Sequence, residues 1–275
     1  MTVAVCSWSL RATGAQELVE RVRGCGLGVV QLALDPIRRG EWDEEETVDA
    51  LGDAGIAVVS GMMEMRGEDY STLETIRRTG GVRADEHWDA NRSACEANAA
   101  LAKRMGLGLV TLHAGFLPHD GHDPLRATMI GRLGEVADVF AAHSLRVGFE
   151  TGQETPETLA GVLDELGRAN VGVNFDPANM ILYGMGDCIG ALAALLPRVV
   201  QVHIKDAIPG TTPGAWGTET PAGLGGVDWS SFFGLLERDG RALDLCIERE
   251  SGEDRVGDVR RGAELVERYL GAGDG

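Results

Sequence analysis

The stretch Arg146-Val-Gly-Phe-Glu150-Thr-Gly-Gln-Glu-Thr155-Pro-Glu-Thr-Leu-Ala160-Gly-Val-Leu-Asp-Glu165-Leu-Gly-Arg-Ala-Asn170-Val-Gly-Val-Asn-Phe175-Asp176 holds two short β-type runs on either side of one helical run. Thr155-Pro156-Glu157 starts a helix, and Gly167 supplies the left-handed residue that ends it. A helical crossover of this length joins parallel strands, and the apolar runs suit strands covered on both faces. Working outward, the same alternation predicts strands at Val3–Ser7, Val29–Ala33, Ala57–Gly61, Leu109–His113, Arg146–Glu150, Gly172–Asp176, Val199–Lys205 and Leu243–Glu248. Helices are expected at Ala15–Gly24, Glu44–Ala54, Asp89–Met105, Pro124–Ala142, Pro156–Gly167, Asp187–Leu195, Trp229–Asp239 and Val256–Leu270, one after each strand. Eight βα units without a linker or a change of composition predict an α/β chain forming a single (β/α)8 TIM barrel over residues 1–275. Long loops follow strand three (Met62 to Glu86) and strand seven (Asp206 to Asp228), on the C-terminal face of the barrel.

Composition narrows the partners. Against 25 lysines and arginines stand 43 acidic residues, for a formal net charge of −18, which repels phosphate backbones and anionic lipid. Nucleic acid and membranes are therefore not expected, although a few local donors would still suffice for a small phosphorylated substrate. No apolar run approaches the roughly 20 residues of a membrane span. The five cysteines, Cys6, Cys25, Cys95, Cys188 and Cys246, are odd in number and scattered, with no C-x-x-C pair, so a disulfide framework or structural zinc is not expected and a reducing cytoplasm is.

In a barrel of this kind active sites lie at the C-terminal ends of the strands. Strand five ends at Glu150, strand six at Asp176, strand seven runs Gln201-Val-His203-Ile-Lys205-Asp206, and strand eight ends Ile247-Glu248-Arg249-Glu250. Each of Glu150, Asp176, His203 and Glu248 has a structural alternative taken singly: an ion pair, a helix cap, a core histidine or a partner for Arg249. Four at consecutive strand tips are costly to bury without a counter-ion. Three carboxylates and an imidazole make a mixed oxygen and nitrogen site for one divalent metal ion, Mn2+, Mg2+, Co2+ or Zn2+.

These residues resemble the sugar isomerase/epimerase superfamily of xylose isomerase-like barrels, over nearly the whole chain. The resemblance is carried by Phe149-Glu150-Thr151-Gly152-Gln153-Glu154, Asn174-Phe175-Asp176-Pro177-Ala178-Asn179, His203-Ile204-Lys205-Asp206, Ile247-Glu248-Arg249-Glu250, Leu112-His113-Ala114-Gly115 and Gly67-Glu68-Asp69-Tyr70. It implies that Glu150, Asp176, His203 and Glu248 bind the metal. It also implies an isomerase or epimerase of carbohydrate metabolism, acting on a sugar, keto-sugar or polyol derivative by proton transfer through a metal-stabilised enediolate. Glu150 and Glu248 would then act as acid and base as well as ligands. A lyase or dehydratase of a keto-sugar or keto-inositol is the first alternative on the same scaffold, and a non-catalytic binding or partner subunit the second. The chain departs from the ketose epimerases in carrying Asn179 and Pro209 where those enzymes place a substrate-contacting histidine and arginine. The resemblance also implies that the barrel can pair with itself as a homo-oligomer.

Further candidates for binding a small-molecule carbohydrate are His113 at the end of strand four, Lys205 on the same face of its strand as His203, Asn179, and the aromatic walls Trp8 and Trp216. Glu250 shares a face with Glu248 and is an alternative ligand. Glu64 and Glu68 read as solvated loop charges. Gly223-Leu-Gly-Gly226 lacks a Walker lysine and a dinucleotide fingerprint, and is expected to be part of a lid or turn.

Overall fold

The computed structural model describes residues 1–212 and 214–271. Among the described residues ten strands follow one another: β1 (Thr2–Cys6), β2 (Val29–Ala33), β3 (Ala57–Met62), β4 (Leu109–Leu112), β5 (Arg146–Glu150), β6 (Val171–Phe175), β7 (Val199–Ile204), β8 (Asp206–Ile208), β9 (Thr218–Thr220) and β10 (Asp244–Ile247). Eight of them close a barrel in the order β1-β10-β7-β6-β5-β4-β3-β2, every neighbouring pair parallel, which is the (β/α)8 fold. The remaining two, β8 and β9, form an antiparallel hairpin in the loop after β7. No helix among the described residues is long and apolar enough to cross a membrane.

Alternation along the strands divides the barrel chemically. Outward-facing residues such as Val5, Leu32, Val110, Val147, Phe149, Val173, Phe175, Val202, Ile204 and Ile247 belong to the main apolar core, where helices such as Pro156–Leu166 and Trp229–Asp239 cover them. Inward-facing residues are strikingly different in kind: Gln31, Ser60, Thr111, Asn174, Gln201 and His203 are all 0% exposed. TIM barrels more often fill this space with branched apolar side chains. Here buried polar groups stay because they bond to one another. Ser60 Oγ donates to Gln201 Oε1 at 2.6 Å, Gln201 Nε2 donates to Asn174 Oδ1 at 3.3 Å, and Gln31 Nε2 donates to Thr111 Oγ1 at 2.8 Å.

The observed elements differ from the expected ones mainly at the rim. Strands β4, β6, β7 and β10 stop one residue short of His113, Asp176, Lys205 and Glu248, so those side chains stand on the first residue of a loop. The helix expected from Asp89 begins at Asp85, with Asp85 and Glu86 in its first turn where carboxylates favour the positive end of the helix dipole. The loop after β3 contains the helix Leu73–Thr79, started by a capping box of Thr72 and Thr75. Short helices at Asp35–Arg38 and Pro177–Leu182 also interrupt the one-helix-per-strand pattern.

Candidate active site at the barrel rim

Asp176 shows how local sequence builds the rim. Pro177 fixes the first turn of the helix Pro177–Leu182, and Asp176 caps it, with Oδ1 accepting the Asn179 backbone N–H at 2.9 Å. One carboxylate oxygen is used structurally, and the other, Oδ2, has no hydrogen-bond partner and points to the barrel axis side, 3.7 Å from His203 Nδ1. The helix cap and the candidate ligand are thus the same side chain.

Strands β5, β7 and β10 bring the other three groups to the same point. His203 Nδ1 lies 3.5 Å from Glu150 Oε1 and 3.4 Å from Glu248 Oε2. Ligand atoms of Glu150, Asp176, His203 and Glu248 all fall within 4.8 Å of one another, on four buried residues. The opposite nitrogen of His203, Nε2, is 2.8 Å from Gln31 Oε1, a contact that fixes the ring with Nδ1 facing the carboxylates; burial works to lower the imidazole pKa, but Cys6, Glu150 and Glu248 hold it well above its ordinary value. Asn174 Nδ2 donates to Glu150 Oε2 at 3.3 Å, and Asn179 Nδ2 to Glu150 Oε1 at 2.8 Å. Gly152 makes room for Asn179: its φ is +129°, and a Cβ there would fall 2.3 Å from Asn179 Cβ.

Lys205 reaches the same cluster. Its ammonium lies 2.8 Å from Glu248 Oε2 and 3.8 Å from Asp176 Oδ2, and donates to Asn179 Oδ1 at 3.2 Å and to Glu250. Burial alone would lower the lysine pKa, but Glu248, Glu250 and Asp176 hold it well above its ordinary value. Burial works to raise Glu248, and Lys205 and His203 overcome it, so that carboxyl sits well below the usual range. Glu150 is also lowered, because His113 and His203 outweigh its burial. Asp176 goes the other way: burial dominates over Lys205 and its pKa is raised. Three acids, Asp176, Glu248 and Glu250, therefore share a single ammonium, and Glu150 lies within the reach of one ion from Asp176, His203 and Glu248.

The remaining candidates divide. Trp8 donates its indole N–H to Glu248 Oε1 at 2.7 Å, and with His113 and Glu250 it lines a cavity of about 290 Å³ over the rim. His113 Nε2 is 3.7 Å from Glu150 Oε1, and its buried Nδ1 has no hydrogen-bond partner. Trp216 is not among the residues lining this cavity. It packs on Tyr183, ring centroids 5.0 Å apart, in a separate apolar cluster with Ala178, Leu182 and Ala207. Glu68, expected to be solvated, accepts the backbone N–H groups of Gly81 at 2.9 Å and Met65 at 3.3 Å, and burial raises its pKa. Glu64 lines the cavity and pairs with Arg39.

Gln31, Asn174 and Gln201 escaped the sequence-based selection. Their signal was nonetheless present: Asn174 and Asp176, like Gln201, His203 and Lys205, alternate on one face of a strand whose other face is apolar. The Gly-rich segment after β7 proves to be an anchored loop. Asp206, 0% exposed, accepts N–H groups from Ala207, Gly223, Gly225 and Val227 and the indole N–H of Trp229, all within 2.9–3.1 Å. Gly225 is obligatory for that closeness, since a Cβ would meet Asp206 Oδ1 at 2.1 Å. A second carboxylate, Glu219 on β9, accepts the backbone N–H of Glu250 and of Ser251 and pairs with Arg249 at 2.8 Å, tying the hairpin to the loop after β10.

Comparison with curated proteins gives no match. Among solved structures, the xylose isomerase domain protein from Planctomyces limnophilus is 28% identical and superimposes with a TM-score of 0.86, over 98% of this chain and 96% of that one. The 3-keto-D-glucoside 4-epimerase from E. coli gives 0.74 at 16% identity, over 97% and 99%. The probable 3-DHS dehydratase AsbF from Bacillus anthracis gives 0.72 at 17% identity, over 98% of each chain. A sugar epimerase and a dehydratase thus share this fold. The sequence pattern of one family matches residues 19–269, and the chain belongs to it: the xylose isomerase-like TIM barrels.

Proposed function

We propose that the protein is a divalent-metal-dependent isomerase or epimerase of a sugar, keto-sugar or polyol derivative. One observation carries this reading: Asp176 Oδ2 and His203 Nδ1, both buried and without a hydrogen-bond partner, converge with carboxylate oxygens of Glu150 and Glu248 within 4.8 Å. Buried polar atoms are rarely left unsatisfied, and a surplus of buried carboxylates calls for positive charge. The donor set fits Mn2+, Mg2+, Co2+ or Zn2+, held by Glu150, Asp176, His203 and Glu248. When bound, such an ion supplies Lewis acidity to a substrate's carbonyl and neighbouring hydroxyl oxygens.

The chain's own groups account for the rest of the chemistry. Glu150 and Glu248 approach the rim from β5 and from the end of β10, so one carboxylate takes the proton next to the carbonyl and the other returns one, to the opposite face or to the adjacent carbon. Asn179 and Asn174 orient Glu150, and Trp8 and Lys205 orient Glu248. Lys205 also adds positive charge beside the place where an oxyanion develops, and His113 offers a polar contact to a substrate hydroxyl. The cavity above, about 290 Å³, is close to the lower end of the roughly 300–1,000 Å³ of small-molecule sites and suits a monosaccharide. All five cysteines are free and buried, which supports a cytoplasmic place for the enzyme.

The test is metal analysis of protein purified without chelator, followed by incubation with keto-sugars in D2O. About one divalent ion per chain, and deuterium incorporation next to the carbonyl that stops on chelation, is the expected result. Absence of any bound ion after adding Mn2+, Co2+ or Zn2+ overturns the proposal. Elimination of water in place of exchange overturns the isomerase assignment in favour of a dehydratase.

A further inference from the structure

A second cavity, of about 550 Å³, opens beside the one over the rim and shares Arg39, Glu64, Glu68 and Tyr70 with it. Arg38, Arg39 and Arg66 all line it. In a chain of net charge −18, three guanidinium groups outnumber the two carboxylates, Glu64 and Glu68, that line the same cavity. Their commitments differ. Arg38 is engaged by the buried Asp35 at 2.6 Å. Arg39 is held by Glu64 in a pair whose side chains are 40% and 59% exposed, and exposed pairs of this kind are weak. Arg66 has no salt-bridge partner among the described residues. Its backbone is nevertheless held in place, since the buried Asn91 accepts the Arg66 N–H at 2.7 Å and donates to the Arg66 carbonyl at 3.4 Å. Of the two acids equally near in the chain, Glu64 pairs with Arg39 and Glu68 is occupied by two backbone N–H groups.

We infer that the cavity walled by Arg39 and Arg66 binds an anionic group, phosphate or carboxylate, on the end of the carbohydrate remote from the strand tips. This rests on the carbohydrate reading of the rim. The planar fork of a guanidinium matches the paired oxygens of either group, and the shared wall lets one ligand span both cavities. An incoming anion takes over Arg39 from Glu64 and gives Arg66 a charged partner. The substrate class is then a keto-sugar that carries a terminal phosphate or carboxylate.

The experiment is calorimetric titration of a neutral ketohexose, its 6-phosphate and the matching 6-carboxylate into Mn2+-supplied protein and into an Arg39→Gln, Arg66→Gln variant. Both arginines are exposed, so the variant is expected to keep its fold, checked by an unchanged Tm. At least one charged sugar is expected to bind tenfold or more tighter than the neutral one. In the variant that gain, taken relative to the neutral sugar on the same variant, falls to within twofold. A gain for the 6-phosphate alone identifies phosphate as the anion, and for the 6-carboxylate alone, carboxylate. Equal affinities, or a gain that survives in the variant, overturn the inference. Titration with inorganic phosphate separates the two readings. Arginine-dependent phosphate binding without binding of any sugar overturns the carbohydrate reading and keeps the anion site. Neutral sugar binding without an arginine-dependent gain does the reverse, and no binding of either overturns both.

Discussion

On the side of β5, β6, β7 and β10, the groups at the rim are buried and fastened: Glu150 by two asparagines, His203 by Gln31, Asp176 by its own helix, Glu248 by Trp8. Across the mouth, the loops after β2 and β3 present Arg39, Glu64 and Arg66 in solvent, linked by one exposed ion pair. The first side is set by strand alternation and a polar barrel interior, which fix positions to a fraction of an ångström. The second is set by loop backbone, where side chains can exchange partners. Bond making needs the former, and choosing among substrates tolerates the latter.

The largest effect tests the fastened side. A Glu150→Gln, Asp176→Asn double variant is expected to lose its metal and to drop kcat/KM by about a thousandfold or more, while keeping the wild-type circular dichroism spectrum. Retained metal with retained turnover would show that the chemistry lies elsewhere. Next comes Asp206→Ala, which strands several N–H donors around one buried position and is expected to cost about 3 kcal/mol or more of stability in a urea titration. A loss below 1 kcal/mol would mean that the loop after β7 holds itself.

Gln31→Leu removes the acceptor from His203 Nε2 without touching the rim, and a 10–100-fold weaker metal affinity is expected, as for other groups that orient a ligating histidine. Unchanged affinity would reduce the polar interior to packing. Glu154 offers a pH test on the same side of the mouth. Burial pushes its pKa from the ordinary 4.5 up to about 8, so the folded state keeps a proton that the unfolded chain gives up. Wild-type stability from this group is fully present below pH 4.5 and falls as pH rises through about 8. Glu154→Gln is therefore expected to be isoenergetic near pH 4.5 and increasingly stabilising up to pH 8, on the order of a few kcal/mol, read from Tm at the two ends. The smallest effect belongs to the loop side: Glu64→Gln is expected to change stability by less than about 1 kcal/mol.

How much of this was legible in the sequence follows the same division. The barrel is, because its eight strands and the longer helices between them announce themselves by periodicity, and several closing turns by glycine. Glu150, Asp176, His203 and Glu248 are also legible, since a charged residue ending an apolar strand is conspicuous without any partner. Gln31 and Asn174 are not, because an amide inside a strand gains meaning only from the strand beside it. Trp216 shows the converse error: its loop lies over the rim in sequence order, yet the three-residue strands Asp206–Ile208 and Thr218–Thr220 turn the chain so that the indole meets Tyr183. Strands so short carry no readable period. Glu68 looked solvated because the glycine that binds it, Gly81, lies 13 residues on.

Asp206 and Glu219 are the two pegs on which the loop after β7 hangs, one fixed to the strand that carries His203 and the other to the segment that carries Glu250. A part hung on two pegs is interchangeable. The turn between Ile208 and Thr218 is expected to tolerate changes of length and sequence in a library that keeps Asp206, Glu219, Gly223, Gly225, Val227 and Trp229, because the pegs hold the two strands of the hairpin whatever joins them. The barrel is in this sense a socket with a standard fitting, into which selection or design can plug a different turn without resetting the groups at the strand tips.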